Sequence, residues 1–251
     1  MSDLLSIGSG AAHLYRQALA TVSNNIANLN TEGYSRQEVS MAENNPSQKG
    51  TIYLGTGARV TGISRAYDEF VETGLRNSGS EYSTQEPIIQ YAKQVVDLIG
   101  SEASGLSSVL DQFFSSAHQL TTDPASTSLR TVFLRDAESV ADRFKELSNQ
   151  LDSIDQNAQN NIAYQIESVN NLAEKILAVN IQLARKTDVA KQSPTLLDQR
   201  DKLLRDLSSV AKINVIEKPS GQVVVSLDGS NSQATIVRED SSTDIGVSFI
   251  P

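Results

Sequence analysis

Neither proline nor glycine occurs between Pro124 and Arg185, and this uninterrupted stretch strongly constrains what the chain can fold into. A helix of about 60 residues would be roughly 90 Å long at 1.5 Å per residue. Apolar residues recur along it mostly three and four residues apart, which is typical of a helix with one buried stripe. These residues are Leu147, Leu151, Ile154, Ala158, Ile162, Ile166, Val169, Ala173, Ile176, Val179 and Leu183. From Ile154 to Ile166 the spacing is four residues three times in succession, which locally unwinds a left-handed supercoil. The pattern predicts a long helix within a bundle.

The composition supports a mainly helical protein and excludes several classes of function. Aromatic residues make up only 5% of the 251 residues, which suits long helices with thin cores. The formal net charge of −9 argues against nucleic acid and anionic membranes as partners, since both attract clustered cations. Cysteine is absent, so the chain has no disulfide, no thiolate zinc site and no cysteine nucleophile. No apolar run reaches the ~18 residues of a membrane-spanning helix.

A second apolar stripe occupies the N-terminal segment, residues 3–22, which carries only two charges, Asp3 and Arg16. The 3-4-3-4 spacing is that of a coiled-coil seam, although a buried core helix would show it too. Since no compact apolar partner lies next to it in the sequence, we expect a subunit interface or a helix pair of the two termini. The expected interface residues are Leu4, Ile7, Ala11, Leu14, Ala18, Val22, Ile26 and Leu29. Leu14 is expected to face water in the free subunit.

Residues 23–37 follow this stripe with the run S-N-N-I-A-N-L-N-T-E-G-Y-S-R-Q. Asparagine competes for backbone hydrogen bonds and glycine adopts left-handed conformations freely, so the helix is expected to end here. The residues that carry this signature are Asn24, Asn25, Asn28, Asn30, Gly33, Tyr34, Arg36 and Gln37.

The run resembles the N-terminal signature of bacterial flagellar axial proteins, and its Tyr34–Gln37 ending resembles the hook-associated protein 1 family. Three later segments are similar to motifs of the same family and occur in its order. They are Gly55-Thr56-Gly57 through Val60, Ile63, Arg65, Tyr67, Asp68 and Phe70; Asp111-Gln112-Phe113-Phe114; and Leu196-Leu197-Asp198-Gln199-Arg200-Asp201-Lys202-Leu203-Leu204. The resemblance covers about residues 2–210. Chains of this family run well past 251 residues, so the sequence is expected to be a truncated form.

The resemblance implies a structural subunit at the hook–filament junction of the extracellular bacterial flagellum, exported by the type III apparatus. It implies terminal helices that order on assembly and line an inner tube. The implied partners are copies of the chain itself, the hook protein, the next hook-associated junction protein, and an export chaperone whose site lies in the missing C-terminal part.

The remaining elements are expected in the following places. Residues 31–65 read as extended with short strands, and a helix resumes near Tyr67. Pro87 reads as a first-turn proline of a helix that reaches about His118. Asp123-Pro124 and Ser193-Pro194 each precede a helix. Alternating residues around Pro219-Ser220-Gly221 predict a hairpin, and 236–237 and 247–249 read as further strands after a loop at 229–235.

The expected fold is therefore mainly α, an elongated antiparallel bundle of long helices with a partial β domain at the C-terminal end. We expect three regions: an assembly helix with its signature at 1–35, a helical bundle at 36–211, and the start of a β-rich domain at 212–251.

Candidate catalytic residues each have a simpler structural interpretation. His13 and His118 are the only histidines, and no carboxylate cluster at ligand spacing accompanies either. Asp198, Arg200, Asp201, Arg205 and Asp206 are explained by a solvated or interfacial helix face with i,i+4 pairs from Asp198 to Lys202 and from Asp201 to Arg205. Gly55-Thr56-Gly57 lacks the downstream glycine of a dinucleotide site and reads as a turn. We expect no enzyme activity, no cofactor and no metal.

Two other classes remain open from the sequence. A rod or hook protein would share residues 23–37 but should lack the Leu196–Leu204 motif and the long helix. A secreted helical effector would require a catalytic constellation, and the sequence offers none.

Overall fold

The structure is a computed structural model that describes residues 2–100, 105–228 and 233–249. Within these ranges the α-helices are α1 (Ser2–Ala27), α2 (Glu69–Gly100), α3 (Leu106–Thr122), α4 (Thr127–Leu183) and α5 (Pro194–Ser208), with a short 3-10 helix at Val189–Lys191. The strands are β1 (Gln37–Glu43), β2 (Ser47–Lys49), β3 (Ile52–Leu54), β4 (Ala58–Arg65), β5 (Ile213–Glu217), β6 (Val223–Asp228) and β7 (Gln233–Val237). The fold is mainly α with a small β portion toward the C-terminal end, as the sequence predicted.

The chain divides into two compact units. The first combines Met1–Glu81 with Ser168–Ile245, and the second combines Tyr82–Glu167 with Gly246–Pro251. Helices α2 and α4 each contribute one part to each unit. The sequence-based regions 1–35, 36–211 and 212–251 describe changes in sequence character, and whether they fold as separate domains stays a prediction.

The core of the first unit lies between the end of α4, helix α5 and a three-stranded antiparallel sheet in the order β5-β6-β7. The hairpin predicted around Pro219–Gly221 is confirmed, with Val215 opposite Val225. Its buried residues alternate along β6, as expected for a strand with one face on the core. They pack with α4 and α5 in one cluster: Val169, Ala173, Ile176, Leu204, Leu207, Ile213, Val223, Val225, Ile236 and Val237.

A second antiparallel pair in this unit joins β1 to β4, with Gln37 opposite Arg65 and a bulge after Ser40. Strands β2 and β3 form a separate short hairpin. Helix α1 lies against β1 and β4. This arrangement places the end of α1 beside the end of β4 and the start of β1.

The second unit contains an antiparallel pair of helices, α3 and α4, joined by a short turn. The rings of Phe113 on α3 and Phe133 on α4 are 5.2 Å apart. The end of α2 also runs along α4, because the Tyr91 hydroxyl donates to the Asn157 carbonyl at 3.4 Å.

Helix α4 spans 57 residues, so the long helix expected from the sequence is confirmed. Its stripe is buried at Leu147 and from Val169 to Leu183, whereas Leu151 and Ile162 are exposed. Each four-residue step advances the side chain about 40° around the helix. Within the 4-4-4 segment Ile154, Ala158 and Ile166 are half-buried and Ile162 is exposed.

Two predicted elements are wrong. Pro87 lies inside α2 and does not start a helix, and the helix expected to reach His118 is two helices, α2 and α3. Val247–Phe249 belongs to no strand. The loop predicted at 229–235 falls partly outside the described residues, and β7 begins within it at Gln233.

Candidate assembly site

Helix α1 and the turn after it present two adjacent stripes of side chains, offset from each other by one residue. The inner stripe faces β1 and β4 and is buried or half-buried: Ile7, Leu14, Ala18, Thr21, Asn25 and Asn28. The outer stripe is exposed along its whole length and keeps a 3-4 spacing throughout: Leu5, Gly8, Ala12, Tyr15, Leu19, Val22, Ile26 and Leu29. Its larger side chains are well exposed, with 70% exposure at Ile26 and 80% at Leu29.

The interface residues expected from the sequence are split between these two stripes. Val22, Ile26 and Leu29 belong to the outer stripe, Leu4 and Ala11 are exposed beside it, and Ile7, Leu14 and Ala18 belong to the inner one. The expectation that Leu14 faces water in the free subunit is wrong, because Leu14 is only 6% exposed. Two stripes with the same spacing, one residue apart, cannot be separated by periodicity alone.

Asparagine side chains of the signature connect the end of α1 to the start of β1 through hydrogen bonds. The Asn25 side chain bonds to both backbone groups of Gln37: its Oδ1 accepts from the Gln37 N–H at 2.8 Å, and its Nδ2 donates to the Gln37 carbonyl at 2.9 Å. The same Oδ1 accepts from the Tyr34 hydroxyl at 2.8 Å. Asn25 therefore acts as one extra residue of strand pairing at the end of β1.

The neighbouring asparagines support this turn. Asn24 donates to the Tyr34 hydroxyl, and Asn28 donates to the carbonyl and side-chain oxygens of Asn24. Asn30 is exposed at the end of the turn. The helix therefore ends in side-chain hydrogen bonds, as the sequence predicted.

Gly33 is required by both conformation and space. Its φ is +80°, and a Cβ built there would lie 3.2 Å from the Cβ of Lys202 on α5. Lys202 also pairs with Glu32 at 3.0 Å. The signature thus packs directly against the Leu196–Leu204 motif.

A buried ionic network fastens this contact. Arg65, at the end of β4, pairs through Nη1 with Asp198 at 3.1 Å and with Asp201 at 2.5 Å. Asp198 also accepts the Ser35 backbone N–H at 3.0 Å. Arg200 is fully buried and donates to Asp201, Glu217 and the Gly221 carbonyl. We call Arg65, Asp198, Arg200 and Asp201 the ionic clasp.

The clasp overturns the expected i,i+4 pairs and the solvated alternative for these charges, while the interfacial alternative fits their contact with neighbouring elements. Asp198 and Asp201 are buried, and their partner is Arg65. Lys202 pairs with Glu32, and Arg205 pairs with Glu72 on α2 at 2.7 Å. Intrahelical spacing predicted the wrong partners because buried carboxylates need cations from neighbouring elements to offset their desolvation.

The motif around Arg65 supplies residues whose roles sequence reasoning missed. The Arg65 guanidinium lies 4.0 Å from the centre of the Tyr67 ring. Asp68 caps α2, since its carboxylate accepts the N–H groups of Phe70 and Val71. The sequence did offer a signal for these roles, because Arg65, Tyr67 and Asp68 all belong to a segment that resembles a family motif and lies next to an expected strand.

Burial and neighbouring charges shift the pKa values of groups in and beside the clasp. Burial, with the charge of Asp198, raises the pKa of Tyr34, and burial with Asp201 raises the pKa of Tyr67. Burial alone would lower the pKa of Arg200, but the charges of Asp201 and Glu217 outweigh it and raise the pKa. Each cation of the clasp thus faces carboxylates.

Other candidate residues do not assemble into a reactive site. His13 contacts Arg16, Arg36 pairs with exposed Glu38, and Gly57, with a φ of +92°, serves the turn before β4. Among the described residues no three His, Asp or Glu side chains are placed to share a metal ion. No helix in the described ranges combines the length and apolarity that crossing a bilayer demands.

A cavity of about 590 Å³ lies beside the clasp. Arg65, Tyr67, Glu217 and Lys218 contribute its polar lining, and Pro194, Leu197 and Pro219 contribute apolar walls. Three of its charged groups already have partners outside the lining: Arg65 pairs with Asp201, Glu217 with Arg200, and Lys218 with Glu239.

Comparison with known proteins gives one consistent result. A family model described as "Flagellar hook-associated protein FlgK helical domain" matches residues 92–249, and one described as "Flagella basal body rod protein" matches residues 5–34. Flagellar hook-associated protein 1 of Salmonella typhimurium is 31% identical over 223 residues, covering 88% of this chain and 40% of the relative. The Bacillus subtilis protein of the same name is 31% identical over 226 residues, covering 86% of this chain and 44% of the relative.

A solved structure also matches the fold. The flagellar hook junction protein FlgK from Burkholderia pseudomallei aligns with a TM-score of 0.59 at 21% identity, covering 67% of this chain and 29% of that one. The chain spans about two fifths of the length of the first curated relatives it matches.

Proposed function

Because the chain belongs to the flagellar hook-associated protein family, we propose that it is a structural subunit of the hook–filament junction of the bacterial flagellum. In this role it is exported by the type III apparatus and packs in a layer outside the cell, at the end of the hook. It binds copies of itself, the hook protein and the next hook-associated protein, and uses neither nucleic acid nor membrane as a partner. An export chaperone engages a part of the longer protein outside these 251 residues.

The observation that carries the proposal is the outer stripe of α1. The inner stripe and Asn25 hold α1 against β1 and β4, and the ionic clasp holds the turn after α1 and the end of β4 against α5, which supports a defined orientation of the outer stripe. Exposed apolar residues at coiled-coil spacing favour helix–helix packing with another subunit or another part of the longer protein. Leu4, Val22, Ile26 and Leu29 are the residues proposed to enter that interface.

We propose that the chain is not an enzyme, in keeping with its structural family. The alternative assignment to a rod or hook protein is disfavoured, since the rod model covers only residues 5–34 while the hook-associated helical model covers 92–249. A secreted helical effector lacks support from any of the matches described.

The test compares two carboxylates placed on opposite sides of α1 in the full-length protein. Ile26→Asp should abolish retention of filaments on cells, because a carboxylate buried without a partner costs several kcal/mol in every subunit. Ala20→Asp adds the same charge on the exposed side away from both stripes and should leave filaments normal.

Both purified variants should melt like the unmodified chain, measured by circular dichroism. Leu14→Asp, in the inner stripe, should instead lower the melting temperature. Normal filaments with Ile26→Asp would show that the outer stripe is not an assembly interface and would remove the support for the proposal.

A further inference from the structure

The carboxylate of Asp198 on α5 is shared by two chain segments that are distant in sequence. Its Oδ2 accepts the Ser35 backbone N–H at 3.0 Å, and its Oδ1 accepts from Nη1 of Arg65 at 3.1 Å. The same two segments also meet directly, because the Ala66 N–H donates to the Arg36 carbonyl at 2.7 Å. Only 7% of the Asp198 side chain is exposed, so both bonds are shielded from water. The chain therefore leaves α5 and returns to it at one buried carboxylate.

Helix α1 is attached at the same place. Asn25, near the end of the helix, bonds to both backbone groups of Gln37, and Gln37 lies opposite Arg65 in the β1–β4 pair. Helix α1 lies along β1 and β4, and α5 contacts β4. The direction of α1 relative to α5 therefore depends on how the paired ends of β1 and β4 are held. We call these paired ends the base.

The length of α1 makes the accuracy of this attachment important. A helix of 26 residues is about 39 Å long at 1.5 Å per residue. A change of about 10° in its direction at the base would move the far end by roughly 7 Å, which exceeds the helical pitch of about 5.4 Å. Such a shift is enough to take side chains of a coiled-coil seam out of the spaces that receive them.

We propose that Asp198 is a positioning residue for assembly, which sets the direction in which the outer stripe of α1 meets its partner by holding Ser35 and Arg65 together on α5. Asp198 acts through these two residues, because its own side chain is buried within the first unit. The nearby pair of Glu32 with Lys202 is largely exposed and contributes less to the placement. The inference rests on the proposed function, and the role is exercised in the assembled state.

Asp201, one turn along α5, provides a matched comparison. Its carboxylate is also buried, and its bonds run to Arg65 and Arg200. Asp201→Asn therefore removes a buried charge and leaves the bond between Ser35 and Asp198 in place. Asp198→Asn keeps the size of the side chain, but its amide must turn an N–H group toward either Ser35 or Arg65, so one of the two bonds is lost.

Retention of filaments and melting temperature should rank these two variants in opposite orders. Full-length Asp198→Asn should lose most filaments at a temperature where circular dichroism shows the purified variant to be folded. Asp201→Asn should lower the melting temperature at least as much, because it leaves two buried arginines short of a carboxylate, and should keep its filaments at that temperature. Filament loss that follows the melting temperature in both variants would overturn the proposal, since Asp198 would then serve stability alone.

A distance measurement tests the geometry without any partner. Spin labels are attached through Glu43→Cys, at the far end of β1, and Ser209→Cys, after α5, in a sequence with no other cysteine. Both positions are exposed. Pulsed electron paramagnetic resonance should give a narrow distance distribution for the otherwise unmodified chain and for Asp201→Asn, and a broader one for Asp198→Asn.

An equally narrow distribution in Asp198→Asn, or an equally broad one in all three chains, would overturn the proposal. Either result would leave the Ile26→Asp test of the proposed function standing, because that test concerns the outer stripe itself. Normal filaments with Ile26→Asp would in turn remove the proposed interface without changing the measured distances. The two failures are therefore distinguishable.

Discussion

At the scale of single residues, the ionic clasp shows how three distant segments become one structure. Arg65 ends strand β4, Ser35 lies near the end of the signature, and Asp198 and Asp201 lie one turn apart on α5. Burying such groups is costly, and the cost is offset only when every charge has its partner. The clasp therefore specifies one arrangement of these segments more than it adds net stability.

Removing Arg65 should be much more harmful than removing an exposed arginine. Arg65→Met leaves two buried carboxylates without this cation and should lower the free energy of unfolding by about 3–5 kcal/mol. Arg36→Met breaks only the exposed pair with Glu38 and should cost less than about 1 kcal/mol. Urea unfolding followed by circular dichroism measures both values. Equal effects of the two substitutions would contradict the role given to the clasp.

Asp136 should contribute to the acid limit of stability. Burial alone would raise the pKa of its carboxyl, but the hydrogen bonds and the charge of neighbouring Arg135 help to outweigh it, and the pKa is lowered. Since the folded pKa lies below the unfolded value of about 3.9, the unfolded chain binds more protons in that range. The contribution is present above about pH 4 and is lost as pH falls through the folded pKa.

The measurement for Asp136 is the melting temperature as a function of pH. The unmodified chain should be more stable than Asp136→Asn near neutral pH, and the difference should shrink on acidification. A difference that stays constant down to about pH 3 would count against this account. Asp142→Asn, at an exposed position of the same helix, provides the comparison.

At the scale of elements, long-range periodicity predicted more reliably than local signals. The 57-residue α4, the β5–β6 hairpin and α5 all follow from spacing and turn residues. Pro87 gave a wrong helix start, because proline favours the first turn of a helix and yet α2 continues through it. The contacts that hold α2 on α4, such as Tyr91 with Asn157, lie far away in sequence and outweigh the local penalty.

Pro87 should therefore lower the stability of α2 without preventing the helix from forming. Pro87→Ala restores a backbone N–H inside the helix, and it should raise the free energy of unfolding by about 1–2 kcal/mol after allowing for the freer unfolded chain. Pro124→Ala lies in the turn before α4 and should give no such gain. The denaturant midpoints of the two variants measure these changes in stability. A loss of stability in Pro87→Ala would show that the proline ring contributes to packing.

The sequence predicted where the candidate site lies, but it did not predict which residues the side chains of the site contact. The α1 stripe and the signature could be identified from spacing and from the asparagine run. Which of two adjacent stripes is buried depended on β1 and β4, and which cation meets Asp198 depended on where β4 ends. Both are tertiary facts that a one-dimensional pattern does not contain.

At the scale of the whole molecule, burial is uneven. The largest fully buried side chains gather where α4, α5 and the β5-β6-β7 sheet meet, whereas β3 carries exposed Ile52, Tyr53 and Leu54. Regions with few buried contacts open at a lower free energy than the core. Stability should therefore be graded along the chain.

Hydrogen exchange should reveal that gradient. Amides of β6 and of Val169–Leu183 should exchange most slowly, those of α1 from Leu14 to Ala27 at intermediate rates, and those of β2 and β3 fastest. Mass spectrometry of peptides from the native chain measures the order. Protection of β3 equal to that of β6 would show that the small hairpin is part of the core.

The one-residue offset between the two stripes of α1 limits how the length of this helix can vary. One inserted residue would turn everything beyond it by about 100°, which carries residues of one stripe into the direction of the other. Seven inserted residues bring both faces back to within about 20° of their original directions. Homologous chains are therefore expected to lengthen or shorten this helix in whole heptads, while the third side, where Ala20 lies, is free to drift.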